Sequence, residues 1–287
     1  MNITKKQDTK VDKKQMIIYI LIILFCIVSI VIASYVQFYA RIDIAQLIGI
    51  KQEKSEFGKK TQDEVETLKA NFDNLFNNTI QNDNGNDNKK VYKEQSLVCT
   101  KYSEQRSKDN SYEININIPY INIDNEIVSG YNQEIENVFV SKARNVLKSE
   151  NKNVIFTVEY VANVQDDILS LMIKSNLKEG ANAQRIIIKT YNYDLRNNKE
   201  ISLEEMLKIK QIDEQQVQNK IKDEIETEEK KVTDLKQLGY NIYDRNVSSD
   251  IYTIKNTTEF YLNENELYLI YPYGNDSQTS ERDIVIL

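Results

Sequence analysis

The sequence predicts an α+β fold, an antiparallel sheet covered by two or three helices, preceded by one transmembrane helix and a helical stalk. Three observations lead to this prediction. An uncharged apolar run occupies residues 16–40. From about residue 91 onward, the hydrophobic period switches repeatedly between two and 3.6 residues. The strand-like runs come in groups with helices between the groups, which is typical of α+β domains and not of parallel α/β ones.

Residues 16–40 predict the membrane span. They form 25 consecutive residues without a charge, and a helix of that length covers a hydrocarbon core of roughly 30 Å. Residues 1–15 hold five lysines and two aspartates, so the positive-inside rule places this tail in the cytoplasm and the rest of the chain outside. The alternative is a signal peptide cleaved after Ala33, but apolar cores of signal peptides are shorter, about 7 to 15 residues.

Residues 41–80 predict a helical stalk. Apolar residues follow a 3-4-3-4 spacing through Val65, Leu68, Phe72 and Leu75, which marks one face of a helix. Two heptads are too few to specify a coiled coil. A homodimer through the stalk and packing of the stalk against its own domain are therefore equally good interpretations. The polar residues 81–90 read as a linker, and the folded domain is expected over residues 91–287.

The first part of this domain predicts one strand, one helix and a meander. Tyr112–Ile118 alternates apolar and polar residues and is expected to end as a strand at Pro119. An amphipathic helix is expected over Asn132–Ser149. Three β-rich runs joined by turn-like segments then predict an antiparallel meander over Val154–Asn163, Ile168–Asn176 and Arg185–Asp194.

The second part predicts two helices and three short strands. Ser202 and Glu205 have the spacing of a capping box, so a short helix is expected to begin there. A longer helix is expected from about Asp213 until just before Gly239. The closing strands are expected at Phe260–Leu262, Leu267–Tyr271 and Ile284–Leu287.

The composition excludes several kinds of chemistry. The chain has no histidine, which excludes Ser-His or Cys-His dyads and makes zinc catalysis improbable, so neither a cofactor nor a metal is predicted. Its two cysteines, Cys26 and Cys99, lie in the span and beyond it, so no intramolecular disulfide is expected. Without its tail the chain has 32 basic and 42 acidic residues, a net charge of −10. That charge disfavours nucleic acid and favours cationic partners.

Two segments resemble a known family. Residues 191–207 and 260–273 look like the "Asn-aromatic-Asp-Leu" segment and the closing hairpin of the domain of unknown function 3298, DUF3298. Residues 112–147 resemble the companion domain of unknown function 4163, DUF4163, so the chain divides at about residue 150. The same order occurs in the exterior of RsiV-like proteins. The chain departs from the family by having Asn198 and Glu266 where its hairpins usually carry glycine.

The resemblance implies a binding or sensing module at the cell envelope. RsiV-like proteins use this exterior as a receptor for lysozyme, a cationic protein, and hold a sigma factor with their cytoplasmic segment. Because the tail here has only 15 residues, too few to form a core, the anti-sigma role is not carried over. The expected ligand is a lysozyme-like cationic protein or wall glycan.

Tyrosines are the candidate ligand-contacting residues. The chain holds 18 tyrosines and no tryptophan, and such rings stack on sugars or anchor protein interfaces. Within the family segments the candidates are Tyr191, Tyr193, Tyr271 and Tyr273. The alternative for each is cross-strand packing inside the sheet.

The alternative function is a carboxylate-dependent hydrolase of wall glycan, because two acids suffice for that chemistry without histidine. The available pairs are Asp166 with Asp167 and Glu204 with Glu205. Neighbouring residues on a strand point to opposite faces, and on a helix they diverge by about 100°. Neither pair is therefore preset as an acid and a base, and turn, capping and solvation roles explain them better.

Overall fold

The computed structural model describes residues 24, 28, 60–76, 96–108, 112–148, 153–272 and 282–287. The chain divides into two compact units, residues 1–54 and 55–287, and the elements named below lie in the second. Of the predicted span, only Leu24 and Val28 are described, both as helical. The predicted tail 1–15 and linker 81–90 lie outside the described residues. Among the helices that are described, none has the length and apolar character needed to cross a membrane.

A six-stranded sheet with strand order β1-β2-β3-β4-β5-β6 forms the larger half of the unit. Its strands are β1 (Val98–Lys108), β2 (Tyr112–Ile121), β3 (Val154–Gln165), β4 (Ile168–Glu179), β5 (Arg185–Asp194) and β6 (Lys199–Glu200). All neighbours pair antiparallel except β2 and β3, which are parallel. The parallel pair follows from the helical crossover between these two strands.

The predicted meander is confirmed as β3, β4 and β5. The β3–β4 turn consists of Asp166 and Asp167, both with positive φ, 52° and 62°. A two-residue hairpin turn of this kind favours residues that tolerate the left-handed region, and aspartate is one of them. Strand β3 runs two residues further into this turn than predicted, since Gln165 still pairs with Ile168, the predicted start of β4.

Two expectations about the first hairpin were wrong. Strand β2 continues through Pro119 to Ile121, and the strand that pairs with it, β1, was not predicted. Proline has no N–H to donate to the ladder, and it is tolerated in strands at bulges. The register between β1 and β2 shifts between Thr100 and Tyr102, next to the Thr100–Pro119 pair. The bulge thus lets the strand continue past the proline.

Helices cover one face of this sheet. Helix α2 (Glu126–Ile135) begins at the cap Asn125, whose side chain accepts from the Ile127 N–H; it starts six residues before the predicted Asn132. It continues through a π-helical turn, Glu136–Val140, into α3 (Ser141–Lys148). Their apolar face and the inner residues of β2–β5 form the first core, which includes Ile116, Phe139, Phe156, Leu171 and Tyr193.

A second, three-stranded sheet was not foreseen as a separate sheet. It has the order β7-β8-β9, with β7 (Glu259–Asn263), β8 (Glu266–Pro272) and β9 (Arg282–Ile286). Helices α4 (Leu203–Ile209) and α5 (Glu214–Gln237) and two short 3-10 helices, Asp250–Tyr252 and Ile254–Asn256, accompany it. Together they form the second core, around Leu207, Ile221, Leu262, Leu269 and Val285. The capping box at Ser202 and the start of α5 at Asp213 are confirmed.

The left-handed position in the β7–β8 turn also differs from the expected one. It is Glu264, with φ of 50°, whereas Glu266 already lies in strand β8. Asn198, at the other hairpin, does take a left-handed φ of 52°. Asn198 therefore takes the left-handed backbone expected at a hairpin glycine, whereas Glu266 does not need to.

Part of the predicted stalk packs on its own domain. Helix α1 (Gln62–Ala70) begins with a capping box between Thr61 and Glu64. Val65, Phe72 and Phe76 are 0 to 1% exposed and form a third core with the outer faces of both sheets, including Met172, Ile188, Tyr261, Tyr268 and Ile286. Residues 60–76 are thus part of the folded domain, which is one of the two interpretations that the spacing left open.

Buried polar side chains join the two sheets. Asn192 donates from Nδ2 to the Phe260 carbonyl (2.8 Å) and accepts from Ser170 Oγ (2.6 Å), and Ser170 Oγ in turn accepts from the Leu262 N–H (3.0 Å). Thr190 Oγ1 accepts from the Phe260 N–H at 3.0 Å. The backbone of β7, an edge strand, is satisfied by these side chains in place of a neighbouring strand.

Candidate ligand-binding cleft

Three of the four predicted tyrosines are core residues. Tyr191, Tyr193 and Tyr271 are 4%, 1% and 3% exposed. The Tyr191 ring lies 5.0 Å from that of Tyr131, and the Tyr271 hydroxyl hydrogen-bonds Thr257 Oγ1 at 3.0 Å. Rings enclosed in this way offer no face to a ligand in this conformation. Tyr273 lies outside the described residues.

Three of the four candidate acids make structural contacts, and the fourth, Glu204, lies in the first turn of α4. Asp166 and Asp167 form the β3–β4 turn and pair with Lys210 and Arg196. Glu205 closes the capping box with Ser202 and pairs with Lys199 at 2.5 Å. The hydrogen bond from Lys199 and the capping bonds with Ser202 lower the pKa of Glu205, so this carboxyl is held ionised and is poorly suited to act as a general acid.

An open cleft of about 560 Å³ lies where α1, α5, the loop after α5 and β9 meet. Strand β9 brings Arg282, Asp283 and Ile284 to one wall, while α5 brings Glu228, Lys231, Val232 and Leu235 to the opposite one. Helix α1 adds Lys69, and the loop adds Ile242 and Arg245. A cleft of this size lies within the range of small-ligand sites.

Charged groups dominate the lining. Four cations, Lys69, Lys231, Arg245 and Arg282, face two acids, Glu228 and Asp283. Lys231 pairs with Glu228 at 2.8 Å and is about half exposed. Lys69 pairs with Glu224 just beyond the lining, and both of these side chains are largely buried. Arg282 pairs with Asp73 at 3.0 Å and Arg245 with Asp283 at 2.9 Å, so each of the four cations has a carboxylate partner.

A buried ion pair is embedded in the lining. Arg245 Nε donates to both carboxylate oxygens of Asp283, at 2.9 and 3.1 Å, and the Tyr252 hydroxyl donates to Oδ2 at 3.2 Å. The side chains of Arg245 and Asp283 are 7% and 2% exposed. Burial raises the pKa of Asp283 to about 6, although Arg245 and the hydrogen bonds act in the opposite direction.

Arg282 holds an unused donor in the lining. Its Nη2 donates to Asp73 at 3.0 Å, and its guanidinium lies 5.3 Å from the centre of the Phe72 ring. Its Nε is buried and has no hydrogen-bond partner within the described part of the chain. An unpaired buried donor costs about 1–3 kcal/mol.

The loop after α5 exposes large apolar and aromatic residues beside the cleft. Helix α5 ends at Gln237. Gly239 follows it with a φ of 89°, which suits glycine, and the Tyr240 N–H closes the turn on the Leu235 carbonyl. Beyond this turn, Leu238 is 75% exposed, Tyr240 60% and Tyr243 38%, and Leu235 at the end of the helix is 38% exposed. We call these four residues the aromatic rim. The same segment supplies Ile242 and Arg245 to the lining of the cleft.

Sequence reasoning missed the cleft and the aromatic rim. The lining residues come from three stretches far apart in the chain, at residue 69, residues 228–245 and residues 282–284, and no spacing connects them. The rim did leave a signal. Tyr240 and Tyr243 follow a helix-ending glycine in a segment that has neither strand nor helix periodicity, so no packing role accounted for them.

Solved structures similar to this chain include two bacterial proteins. No family model and no curated protein matches the chain. A protein from Pseudomonas aeruginosa PAO1 is 16% identical with a TM-score of 0.37, over 66% of this chain and 87% of that one. A protein from Bacteroides fragilis NCTC 9343 is 12% identical with a TM-score of 0.34, over 65% and 88%. Both are described as members of the DUF3298 family.

That family is the one whose segments this sequence resembles, and neither description mentions DUF4163 or an RsiV-like protein. Identities and TM-scores this low assign no function to the chain.

Proposed function

We propose that this chain is a membrane-tethered binding domain of the DUF3298 type on the outer side of the cell envelope, and that it binds wall glycan in the cleft. The observation that carries the proposal is the charged cleft of about 560 Å³ with the exposed aromatic rim next to it. The predicted span at residues 16–40 and the basic tail before it supply the tether and its orientation.

The composition of the site suits a glycan. Sugar faces stack on exposed aromatic rings, and Tyr240 is the most exposed tyrosine on the rim. Sugar hydroxyls and acetamido groups require donors and acceptors, which Lys231, Glu228 and Arg282 provide. Wall glycan also carries carboxylates, and the half-exposed Lys231 can interact with them.

The choice of glycan over a cationic protein follows from the same lining. The exported part of the chain has a net charge of −10, which favours a cationic protein in general. At the cleft, however, each acid is paired with a cation, as in Lys231 with Glu228 and Arg245 with Asp283. The lining therefore has no surplus of negative charge for a basic protein, whereas sugar hydroxyls use donors and acceptors of both kinds.

The test is co-sedimentation of the full-length chain, held in a mild detergent, with purified insoluble wall glycan. We expect saturable binding that weakens with salt, because the lining is charged. Tyr240→Ala and Lys231→Gln should each weaken binding about tenfold, which corresponds to about 1.4 kcal/mol. Val164→Ala is the matched control, because Val164 is 48% exposed on β3 and lines no part of the cleft.

The other outcomes would exclude the cleft or support a different function. Equal binding by all three variants would remove the cleft as the site. Binding of lysozyme in the same assay, with none to glycan, would support the cationic-protein receptor. Release of soluble sugar during the incubation would support the hydrolase, and the loss of release in a single Asp or Glu variant would identify its acid.

A further inference from the structure

A second, smaller cavity lies between the helices and the outer strands β1 and β2 of the six-stranded sheet. The helices cover the face of this sheet that points away from the three-stranded sheet and the cleft. The volume of the small cavity is about 150 Å³, and it is lined by Tyr102 and Tyr120 from the strands and by Val140 and Arg144 from the helices. A cavity of about this volume accommodates a molecule of roughly benzene size. None of its lining residues belongs to the cleft.

The strand wall of this cavity is irregular. Thr100 pairs with Pro119 and Tyr102 with Ile118, which leaves Lys101 as the extra residue of a bulge. The bulge takes Lys101 out of the ladder, and its Nζ lies 4.7 Å from the centre of the Tyr120 ring. Bulges commonly serve to re-aim a side chain next to a functional site.

The helical wall is irregular at the same place. The π-helical turn Glu136–Val140 widens the helix, with the Ser141 N–H donating to the Glu136 carbonyl five residues earlier. Glu136 and Val140 both line the cavity. Such turns are rare and occur frequently at functional sites. Two independent departures from regular structure therefore face each other across one cavity.

The charges indicate the chemistry of a ligand. Lys101 and Arg144 are cationic, and Glu136 is the one acid in the lining, paired with Arg144 at 2.9 Å. The lining thus has one surplus positive charge, and Lys101 has no carboxylate partner within the described residues. Ile118, Pro119 and Val140 supply an apolar wall between the two tyrosine rings.

We propose that this cavity binds a small carboxylate with a body about the size of one six-membered ring, with Lys101 and the exposed side of Arg144 holding the carboxylate. The ring packs between Tyr102, Tyr120 and Val140. This site is separate from the glycan cleft, so either proposal stands without the other.

The probe for the test is benzoate, titrated against the full-length chain in lipid nanodiscs and followed by ligand-detected NMR saturation transfer. For a fragment of this size we expect a dissociation constant of roughly 1 mM. Benzamide, with the same shape and no charge, should bind about tenfold more weakly, and benzamidine should not bind. The probe also partitions into the lipid of the nanodisc. This background signal is the same for every variant, so differences between variants report binding to the protein.

Lys101→Gln and Arg144→Gln are the test variants, because both side chains are exposed enough to change without disturbing a core. Each should weaken benzoate binding about tenfold, the effect of losing one charge-assisted hydrogen bond. Lys108→Gln, at the far end of the same strand, is the matched control and should leave binding unchanged. Equal binding by all three variants, equal binding of benzamidine, or no saturable signal would overturn the proposal.

Discussion

At the residue scale, the family-like segment at 191–195 is explained by structure and not by ligand contact. Tyr191 and Tyr193 face the first core. Asn192, 4% exposed, bonds the backbone of β7 through Phe260. Asp194 Oδ1 accepts from the Arg196 and Asn197 N–H groups and so stabilises the following turn. In this chain, a buried sheet junction and a tight turn account for these residue types.

The prediction at this scale concerns Asp283 and pH. Its folded-state pKa of about 6 lies above the ordinary value of 3.8, so the folded protein binds this proton more tightly than the unfolded chain does. The resulting stabilisation is fully present below about pH 4 and is lost as the pH rises through about 6. Urea denaturation of the full-length chain from pH 4 to 7 measures it.

The control is Asp283→Asn, which removes this titration and retains the shape. The groups that face Asp283 are Arg245, Tyr252 and Glu228, and they remain in the variant. We expect the free energy of unfolding of the wild type, relative to Asp283→Asn, to fall as the pH rises from 4 to 6, by at most about 1.4 kcal/mol per pH unit. A difference independent of pH would show that Asp283 titrates normally.

At the element scale, helix α1 was predicted as part of a stalk, and the tertiary structure shows that it packs on the folded domain. Its apolar face packs against β8 and β9, where Phe72 lies 6.0 Å from Tyr268 between ring centres. Polar contacts hold the segment at both ends, through Lys60 with Glu266 at 3.6 Å and Asp73 with Arg282 at 3.0 Å. The segment that leads from the predicted span therefore completes the core of the domain.

Phe72→Ala is the prediction for this element. Phe72 is 1% exposed, so truncation leaves a cavity, and we expect the free energy of unfolding to fall by about 3–5 kcal/mol. Thr67→Ala, on the exposed side of helix α1 in the same segment, should change it by less than about 0.5 kcal/mol. Urea denaturation of the full-length variants measures both. If residues 60–76 were a free stalk, the two variants would unfold alike.

At the scale of the whole molecule, the two sheets and three cores give the domain its binding surfaces. The cleft exists because α1, α5 and β9 meet around the three-stranded sheet. The small cavity exists because a bulged strand and a π-helical turn meet at the edge of the six-stranded one. Either site would be lost if its elements were separated, even though each element would keep its local structure.

The prediction at this scale is the membrane topology. In a chain with Cys26 and Cys99 replaced by serine, Lys230→Cys should react with a membrane-impermeant maleimide on intact cells, because the domain is proposed to lie outside. Lys6→Cys, in the basic tail, should react only after permeabilisation. Labelling of Lys6→Cys on intact cells would reverse the orientation. Recovery of the labelled domain from the medium would indicate that the apolar run is a cleaved signal peptide.

Local patterns in the sequence were sufficient for most elements of the domain. The meander, the capping box at Ser202, the helix from Asp213 and the three closing strands were all predicted, because alternation, capping residues and turn residues act over a few neighbouring positions. Strand β1 was missed because its residues, such as Lys101, Glu104 and Arg106, lie at an exposed edge and show little apolar alternation. The continuation of β2 was missed because the compensating bulge lies on its partner.

What the sequence by itself determined is the class of the domain, most of its helices and strands, and the chemistry that a chain without histidine excludes. Only the tertiary structure decided that there are two sheets, that residues 60–76 complete a core, and that Tyr191, Tyr193 and Tyr271 are buried while Tyr240 and Tyr243 are exposed. The physical reason is that periodicity reports one face of one element, whereas burial and clefts depend on which elements meet, and those contacts join residues far apart in the chain.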